Sequence, residues 1–236
     1  MHLFYTPDIE PNHPQYFLSE EESKHGIRVL RLGVGDEVKL IDGRGGLYTA
    51  RIKDAHPKRT ILQITSVTAE FNKRNHYLHI AIAPTKNIER LEWFLEKATE
   101  IGIDEISLII CQRSERKEAK VDRLNKIITS AIKQSIKAYH PKLNEAVGFD
   151  ELVKREFDGQ KFIAHCDAGE KVGLRKALER FGNYLILIGP EGDFSPKEIE
   201  TALQHNFKAI TLGESRLRTE TAALEACFEA NFLNRE

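Results

Sequence analysis

The chain has 236 residues, of which 41% are hydrophobic and 30% charged, a composition that supports a packed core and excludes a disordered polymer. Its 35 basic and 36 acidic residues leave a formal net charge of −1, so any attraction to a polyanion must come from a local patch. Three scattered cysteines, no basic leader and no long apolar run predict a cytoplasmic protein without disulfides, signal peptide or membrane span.

The first 72 residues predict one short helix followed by strands. Ser19 and Glu22 have capping-box spacing, and the helix they open is expected to run to Leu30. Partly alternating apolar segments then predict three strands, at residues 37–42, 47–53 and 61–67. Short strands joined by tight turns favour a small β-barrel domain at residues 1–72.

The pattern changes to alternating strands and helices at about His76, and the domain boundary is predicted within residues 71–75. Five short apolar runs are typical of strands buried on both faces of a parallel sheet: 79–83, 106–110, 161–164, 184–188 and 209–212. Helical patterns lie between and after them, at 91–101, 124–135, from Ser195 onward and at 219–232. The alternation predicts an α/β domain with a parallel sheet at residues 73–236.

The loop after the strand at 184–188 is a candidate ligand site. Ligands of open α/β sheets bind beyond the carboxyl ends of strands, and Gly189 and Gly192 allow the backbone to approach a ligand closely. A phosphate is disfavoured, because the loop has no Walker lysine and because Glu191 and Asp193 would repel it. A neutral or partly cationic ligand fits better. The alternative is an ordinary strand-to-helix turn.

A second candidate loop follows the strand at 209–212. Arg216 and Arg218 stand two apart, with Glu214 and Glu220 around them. These charges are compatible with a structural ion-pair network, and equally with an arginine that points at a ligand or polynucleotide.

A local excess of positive charge indicates RNA binding. Nine basic residues stand against three acidic ones between Gln112 and Lys142. A single basic stripe is typical of a solvated helix face, but several in a near-neutral protein favour a polyanion contact. Lys126, Lys133 and Lys137 are expected to share one face of the helix at 124–135, and a smaller stripe in the first domain holds His25, Arg28 and Arg31, spaced three apart.

Other classes of site find no support in the sequence. Neither a His-Glu-x-x-His pair nor paired cysteines predict a metal centre, and no Gly-x-Ser-x-Gly elbow predicts a serine nucleophile. Trp93 lies beside the apolar stripe of its helix and is expected to pack against the core.

The two candidate loops together resemble the C-terminal signature of the ribosomal RNA small subunit methyltransferase E family. This SPOUT family methylates N3 of a uridine in 16S ribosomal RNA. Two departures are Lys137, where the family has an arginine, and Asp193, where a third glycine is usual. The similar segments are 188–195 and 212–222, with further similarity at 25–32, Lys86, 97–102, Arg113-Ser114 and Gln134-Ser135.

The resemblance implies a PUA-like RNA-binding domain at 1–72 and a SPOUT domain at 73–236 containing a deep trefoil knot. It also implies a homodimer that acts on the small ribosomal subunit, with no metal and no membrane. S-adenosylmethionine is the implied cofactor. The residues implied to bind it are His165, Ile188, Gly189, Pro190, Glu191, Gly192, Leu212, Gly213, Leu217 and Arg218.

Catalytic roles follow from the chemistry of uracil. A cationic donor at its carbonyl oxygens would stabilise the anion that develops at N3, and Arg218 is the first candidate for that donor. Glu191 is a candidate proton acceptor, and Lys86 and Arg113 join the expected RNA contacts. Two rival hypotheses are methylation of a ribose 2′-hydroxyl or of another RNA, and an RNA-binding protein with a degenerate cofactor pocket.

Overall fold

The computed structural model describes residues 2–235, which form two compact units. The N-terminal unit holds the chain up to Lys73 together with Ile132–His140, and the C-terminal unit holds Arg74–Ala131 together with the chain from Pro141 onward. The predicted division into residues 1–72 and 73–236 did not anticipate that Ile132–His140 belong to the N-terminal unit. No short-range sequence pattern shows that this segment joins the N-terminal unit, because its apolar contact with Ile41 is between residues far apart in the sequence.

The N-terminal unit is built on one five-stranded sheet in the order β1-β3-β4-β5-β2. The pairing of β1 with β3 is parallel and the others are antiparallel. The core holds ten buried apolar residues, among them Phe4, Leu40 and Tyr48. The strands are β1 (Leu3–Tyr5), β2 (Gln15–Phe17), β3 (Glu37–Ile41), β4 (Leu47–Asp54) and β5 (Ile61–Thr68).

The predicted first helix is shorter and less regular than its pattern indicates. Helix α1 covers only Glu20–Lys24, with the Ser19 side chain accepting a hydrogen bond from the Glu22 N–H, and a π-helical turn follows at His25–Val29. Buried Gly26 packs against Phe4, and the helix ends before Arg31, whose φ of 56° is left-handed. The prediction of one α-helix to Leu30 is therefore wrong, and the basic residues do not keep α-helical spacing.

The C-terminal unit contains a seven-stranded parallel sheet in the order β10-β12-β9-β11-β6-β7-β8. The five predicted strands correspond to β6, β7, β9, β11 and β12. The trefoil knot implied by the resemblance stays a prediction. The strands are β6 (Tyr77–Ile82), β7 (Glu105–Ile110), β8 (Lys142–Gly148), β9 (Gln160–Ala164), β10 (Val172–Gly173), β11 (Asn183–Ile188) and β12 (Lys208–Thr211).

Helices cover both faces of this sheet. Ile80 of β6 belongs to one core cluster together with apolar residues of α2 and α7, whereas Ala81 belongs to a second cluster with residues of α4 and α6. This burial on both faces accounts for the continuous apolar runs. The helices are α2 (Ile88–Ile101), α3 (Val121–Ser135), α4 (Phe149–Val153), α5 (Leu174–Ala177), α6 (Pro196–Gln204) and α7 (Thr219–Leu233).

Candidate cofactor and RNA site

Three loops meet at the carboxyl ends of neighbouring strands in the C-terminal unit. Strand β9 lies between β12 and β11, so the loops that follow these three strands leave the same edge of the sheet. They enclose a cavity of about 850 Å³. Most of the residues implied to bind the cofactor line this cavity, namely His165, Ile188, Gly189, Pro190, Glu191, Gly192, Gly213, Leu217 and Arg218. Leu212 packs against the core behind it.

The loop after β11 is tightly folded. A Cβ atom on Gly189 would stand 3.1 Å from the Phe194 ring, so a larger residue there would push the buried ring aside. The Gly189 carbonyl accepts a hydrogen bond of 3.1 Å from Thr219 Oγ1, which ties the loop to the start of α7. The backbone of the cavity wall is thus fixed from two sides.

Asp193 closes this loop in a left-handed conformation. Its φ is 62°, and its N–H donates to the Pro190 carbonyl at 2.9 Å. One carboxylate oxygen accepts a hydrogen bond of 2.7 Å from the Cys166 N–H, which links the loop to the one after β9. The left-handed backbone gives a physical reason for the glycine usual at this position in the resembled family.

Arg113 and Glu198 support the same loop from outside. Arg113 Nη1 donates to the carbonyls of Gly192 and Phe194, at 2.9 and 3.1 Å. The buried Glu198 carboxylate accepts from the Ser195 N–H as part of the capping box of α6, and also from the Gln112 N–H, both at 2.8 Å. Arg113 was predicted as an RNA contact, and in this structure its guanidinium holds the cavity wall.

Glu191 is fixed by a main-chain donor. The N–H of Lys86 donates to Glu191 Oε1 at 2.9 Å, while the Lys86 ammonium pairs with Glu115 at 2.8 Å. Arg116 holds this neighbouring segment by donating to the carbonyls of Thr85 and Lys86. The carboxylate of Glu191 therefore orders two loops at the mouth of the cavity.

His165 lines the cavity and carries two buried, unsatisfied polar atoms. Both ring nitrogens are buried, and neither has a hydrogen-bond partner within residues 2–235. Burial, and after it the positive charge of Lys171, lowers the pKa of His165 below its usual value. The imidazole is therefore neutral at pH 7, and one nitrogen can donate to a ligand while the other accepts.

The loop after β12 leaves its arginines available. Arg216 and Arg218 are exposed, and neither side chain makes a hydrogen bond or ion pair in the described part of the chain. The structural ion-pair network considered for these residues is therefore not formed. Arg218 precedes α7 and lines the cavity.

A second cavity of about 470 Å³ shares Arg90 and Arg218 with the first. Trp93 is 43% exposed at its edge, so the expectation that Trp93 packs against the core is wrong. Glu220 is buried in its wall, with one oxygen 3.8 Å from Arg90 Nε. Sequence reasoning missed Arg90 and used Glu220 only as a neighbouring charge, because no local pattern brings α2 and the start of α7 together.

The predicted RNA contacts divide into exposed and engaged side chains. His25, Arg28 and Arg31 are exposed on the N-terminal unit, and Lys126 is exposed on α3. Lys133 pairs with Glu22 at 2.8 Å.

The expectation that Lys137 shares the helix face of Lys126 and Lys133 is wrong. Helix α3 ends at Ser135, and Ile136 has a left-handed φ of 54°, so Lys137 lies beyond the helix. Its N–H instead closes the helix end by donating to the Ile132 carbonyl at 3.0 Å.

Residues 2–235 contain neither a metal-binding cluster nor a membrane-spanning helix. No three His, Cys, Asp or Glu side chains there are grouped closely enough to hold a metal ion. No helix there has both the length and the apolar composition that crossing a membrane requires.

Comparison with known proteins decides the family. An RNA methyltransferase domain matches residues 72–229, and an RNA methyltransferase PUA domain matches residues 18–65. A ribosomal RNA small subunit methyltransferase E from Mesomycoplasma hyopneumoniae is 32% identical over 230 residues, covering 95% of this chain and 96% of that one. The chain belongs to the ribosomal RNA small subunit methyltransferase E family. The expectation of a PUA-like domain followed by a SPOUT-type α/β domain is confirmed.

Solved structures agree with membership of the methyltransferase E family over the whole chain. A probable rRNA-methyltransferase from Porphyromonas gingivalis is 41% identical with a TM-score of 0.90, covering 99% of this chain and 98% of that one. A ribosomal RNA small subunit methyltransferase E from Neisseria gonorrhoeae, bound to S-adenosyl methionine, is 26% identical with a TM-score of 0.88 and the same coverage.

Proposed function

We propose that this chain methylates N3 of a uridine in 16S ribosomal RNA, using S-adenosylmethionine and acting on the assembled small subunit in the cytoplasm. The observation that carries the proposal is the cavity where three sheet-edge loops meet, lined by Arg218, whose side chain has no partner within residues 2–235. Family membership supports the RNA substrate, and the bound S-adenosyl methionine of the Neisseria gonorrhoeae relative supports the cofactor.

The cavity fits the proposed cofactor in size and chemistry. Its volume of about 850 Å³ lies within the range of about 300–1,000 Å³ typical of ligand pockets. Main-chain groups of Ile188–Gly192 and the unpartnered nitrogens of His165 offer polar contacts, while Leu217 offers an apolar one. When bound, the cofactor supplies a methyl group that its sulfonium has already activated.

The chain's own residues then have to orient and deprotonate the uracil. Neutral N3–H has no lone pair available for attack, so its proton must leave as the methyl group arrives. Arg218 is placed to donate to a uracil carbonyl oxygen and to stabilise the developing anion. Glu191 stays a prediction as proton acceptor. Because N3 lies on the Watson–Crick edge, the target base must be unpaired or flipped out.

The predicted RNA contacts stay part of this proposal. Exposed His25, Arg28, Arg31 and Lys126 can reach phosphates without losing a protein partner. Lys86, Arg113 and Lys133 would first have to exchange the partners they have in this structure. Lys137 is also retained, in the segment after α3.

A homodimer is the assembly we propose. Helix α7 leaves Phe228 and Phe232 exposed at 41% and 42%, with their rings 5.7 Å apart. Exposed aromatic pairs of this kind mark interaction surfaces, and a second copy of the chain is the occupant that family membership supports.

The test uses small subunits that lack the modification and a cofactor labelled in its methyl group. Transfer is followed, the RNA is digested, and the methylated atom is identified by mass spectrometry. We expect label on N3 of one uridine, and Arg218→Ala to lower the rate about 100- to 1,000-fold when both cofactor and subunit are saturating. Unchanged turnover of this variant would refute the role of Arg218.

The same experiment separates the rival hypotheses. Label on a ribose 2′-hydroxyl, or on another RNA, would replace the uridine-N3 assignment. Absence of cofactor binding in calorimetric titration would favour an RNA-binding protein without catalysis.

A further inference from the structure

Glu220 is a buried carboxylate whose hydrogen bonding is incomplete. The residue is 6% exposed, and its Oε2 is buried without a hydrogen-bond partner in the described residues. Oε1 stands 3.8 Å from Arg90 Nε, which is too far for a hydrogen bond. A buried carboxylate that lacks hydrogen-bond donors costs stability, so a ligand in the cavity that donates a hydrogen bond to this carboxylate would be bound favourably.

The cavity around Glu220 combines two cationic donors with this acceptor. Arg90 and Arg218 both line it, and both also line the proposed cofactor cavity. Guanidinium groups can only donate and an ionised carboxylate can only accept. The set therefore offers donor, acceptor and donor groups within reach of the cofactor cavity.

Uracil carries the complementary pattern on the edge that is to be methylated. Its O2 and O4 accept hydrogen bonds, and N3–H between them donates. Trp93, exposed at the edge of the same cavity, offers an aromatic face on which a flipped-out base can stack.

We propose that this second cavity receives the target uracil and that Glu220 accepts the N3 proton. The N3–H bond breaks, its electron pair stays on N3 and forms the new bond to the methyl carbon, and the proton moves to the Glu220 carboxylate. The carbon–sulfur bond of the sulfonium donor breaks with its electrons going to sulfur. This assignment rests on the uridine-N3 function proposed above and names the residue that completes it.

The same arrangement selects against cytosine. The N3 atom of cytosine is an acceptor, and its exocyclic amine replaces one carbonyl with a donor. A carboxylate would then face a lone pair and a guanidinium would face an N–H group, both of them repulsive contacts.

Glu220 suits the proton transfer better than Glu191. Glu191 is exposed, and its Oε1 already accepts the Lys86 N–H. Glu220 is shielded from water and keeps an oxygen without a donor. In addition, α7 holds its backbone in regular structure.

The test compares Glu220→Gln with Glu229→Gln in the full chain. Glu229 lies on the same helix and also has a buried oxygen without a hydrogen-bond partner in the described residues, but it lines neither cavity. Single-turnover methylation of unmodified small subunits is measured at saturating cofactor from about pH 6 to 9, and cofactor binding by calorimetry. We expect Glu220→Gln to be at least about 100-fold slower, with a rate that keeps rising with pH, and Glu229→Gln to resemble the wild type.

A rate for Glu220→Gln within about three-fold of wild type, or a large loss that is matched by Glu229→Gln, would overturn the role of Glu220. Should Glu220→Gln not fold, Trp93→Ala provides the decision. It is expected to raise the half-saturating subunit concentration about ten-fold relative to Phe181→Ala, an exposed aromatic outside both cavities. Equal half-saturating concentrations for these two variants would overturn the proposal that the second cavity receives the target base.

Failure of the proposed function gives a different result. In that case the wild-type chain places the methyl group on an atom other than uridine N3, and the proposal for Glu220 falls with it. Label on N3 with an unimpaired Glu220→Gln variant would instead remove only the role of Glu220.

Discussion

Single residues at the cavity combine a strained backbone with a compensating contact, and Asp193 is the clearest case. Its left-handed φ of 62° is unfavourable for most side chains, yet its carboxylate links two loops through the Cys166 N–H. Compared with glycine at this position, aspartate is less favourable in the left-handed conformation, but its side chain adds hydrogen bonding that glycine cannot make.

This balance predicts the order of two substitutions at position 193. Both substitutions lose the two hydrogen bonds that the carboxylate accepts from the N–H groups of Cys166 and Phe194, but Asp193→Ala keeps the backbone strain whereas Asp193→Gly relieves it. We expect the glycine variant to be more stable than the alanine variant by about 1 kcal/mol, measured as the free energy of unfolding in urea. Equal stabilities would mean that the loop relaxes out of the left-handed conformation.

A second residue-scale property concerns pH. Burial, the largest cause, lowers the pKa of His79 to about 4, and its Nε2 lies 2.8 Å from Ser107 Oγ. Ser107 Oγ also lies 2.9 Å from the amide nitrogen of Asn144, which can only donate. Burial thus disfavours the protonated imidazole of His79 in the folded chain.

Acid should therefore destabilise the protein before its carboxylates titrate. The unfolded chain binds a proton at His79 near its ordinary pKa of about 6.5, while the folded chain does so only near 4. The free energy of unfolding is therefore highest above about pH 6.5, and it falls between about pH 6.5 and 4 by up to about 1.4 kcal/mol per pH unit.

His76, whose pKa burial also lowers to about 4, adds to the same window. The free energy of unfolding in urea, measured at about pH 7 and pH 5, checks this. The His79→Asn variant should show a smaller dependence of that free energy on pH, by the amount that corresponds to about one proton. A slope unchanged in His79→Asn would show that the imidazole is already protonated in the folded chain.

At the scale of secondary-structure elements, the positions of the strands determine which loops are neighbours. The segment after β7 contacts a loop of the cofactor cavity through Arg113. Its Nη1 donates both hydrogen bonds to carbonyls of the neighbouring loop, and the rigid guanidinium plane fixes the direction of these N–H groups, which the ammonium on the flexible stem of a lysine does not. Replacing this residue therefore separates a role in holding the loop from the predicted role in binding RNA.

We expect Arg113→Lys to weaken cofactor binding about ten-fold, a loss of about 1.4 kcal/mol, while the charge available to RNA is kept. Calorimetric titration with S-adenosylmethionine measures the first quantity, and binding to unmodified small subunits measures the second. Lys117→Arg, an exposed neighbour, is the control. Weakened subunit binding with normal cofactor affinity would favour the RNA contact instead.

How far sequence predicted each element depended on burial and length. Strand β11 and its neighbours were located to within two residues, because burial on both faces leaves a continuous apolar run. Strand β8 and helix α5 were missed, since the first carries several polar residues and the second has only four residues. The π-helical turn at His25–Val29 was missed because the capping box and the apolar spacing that favour a helix do not distinguish a π-helical turn from an α-helical one.

For the candidate site, sequence located the loops but not their partners. Glycines at 189 and 192 after an apolar strand signal a close backbone approach wherever the strand lies. The contact of Arg90 with Glu220, by contrast, joins two helices that are distant in the chain, and no spacing rule encodes it. The Ser195–Glu198 capping box was visible, but the second bond of Glu198, to Gln112, was not.

At the scale of the whole molecule, the N-terminal unit is made from two separate stretches of chain. Ile132 and Ala138 pack with Ile41, and the N–H groups of Gly45 and His140 donate to the carbonyls of Ala138 and Gly43, each at 2.9 Å. The returning segment thus contributes both apolar contacts and backbone hydrogen bonds to this unit.

This arrangement predicts that a fragment of residues 1–73 is incomplete. Without Ile132 and Ala138 it exposes apolar surface around Ile41, and we expect it to unfold at lower urea concentration than the same unit in the full chain. Circular dichroism and binding of a hydrophobic dye check this. Adding residues 132–140 through a flexible linker should raise the midpoint, and no change on adding them would contradict the prediction.

The split also has a consequence for synthesis on the ribosome. Residues 74–140 must be translated before Ile132–His140 can reach the N-terminal sheet, which at about 5–20 residues per second delays completion of that unit by roughly 3 to 13 s. During this interval its unfinished surface is available to chaperones, and the nascent chain cannot follow a strict first-made, first-folded order.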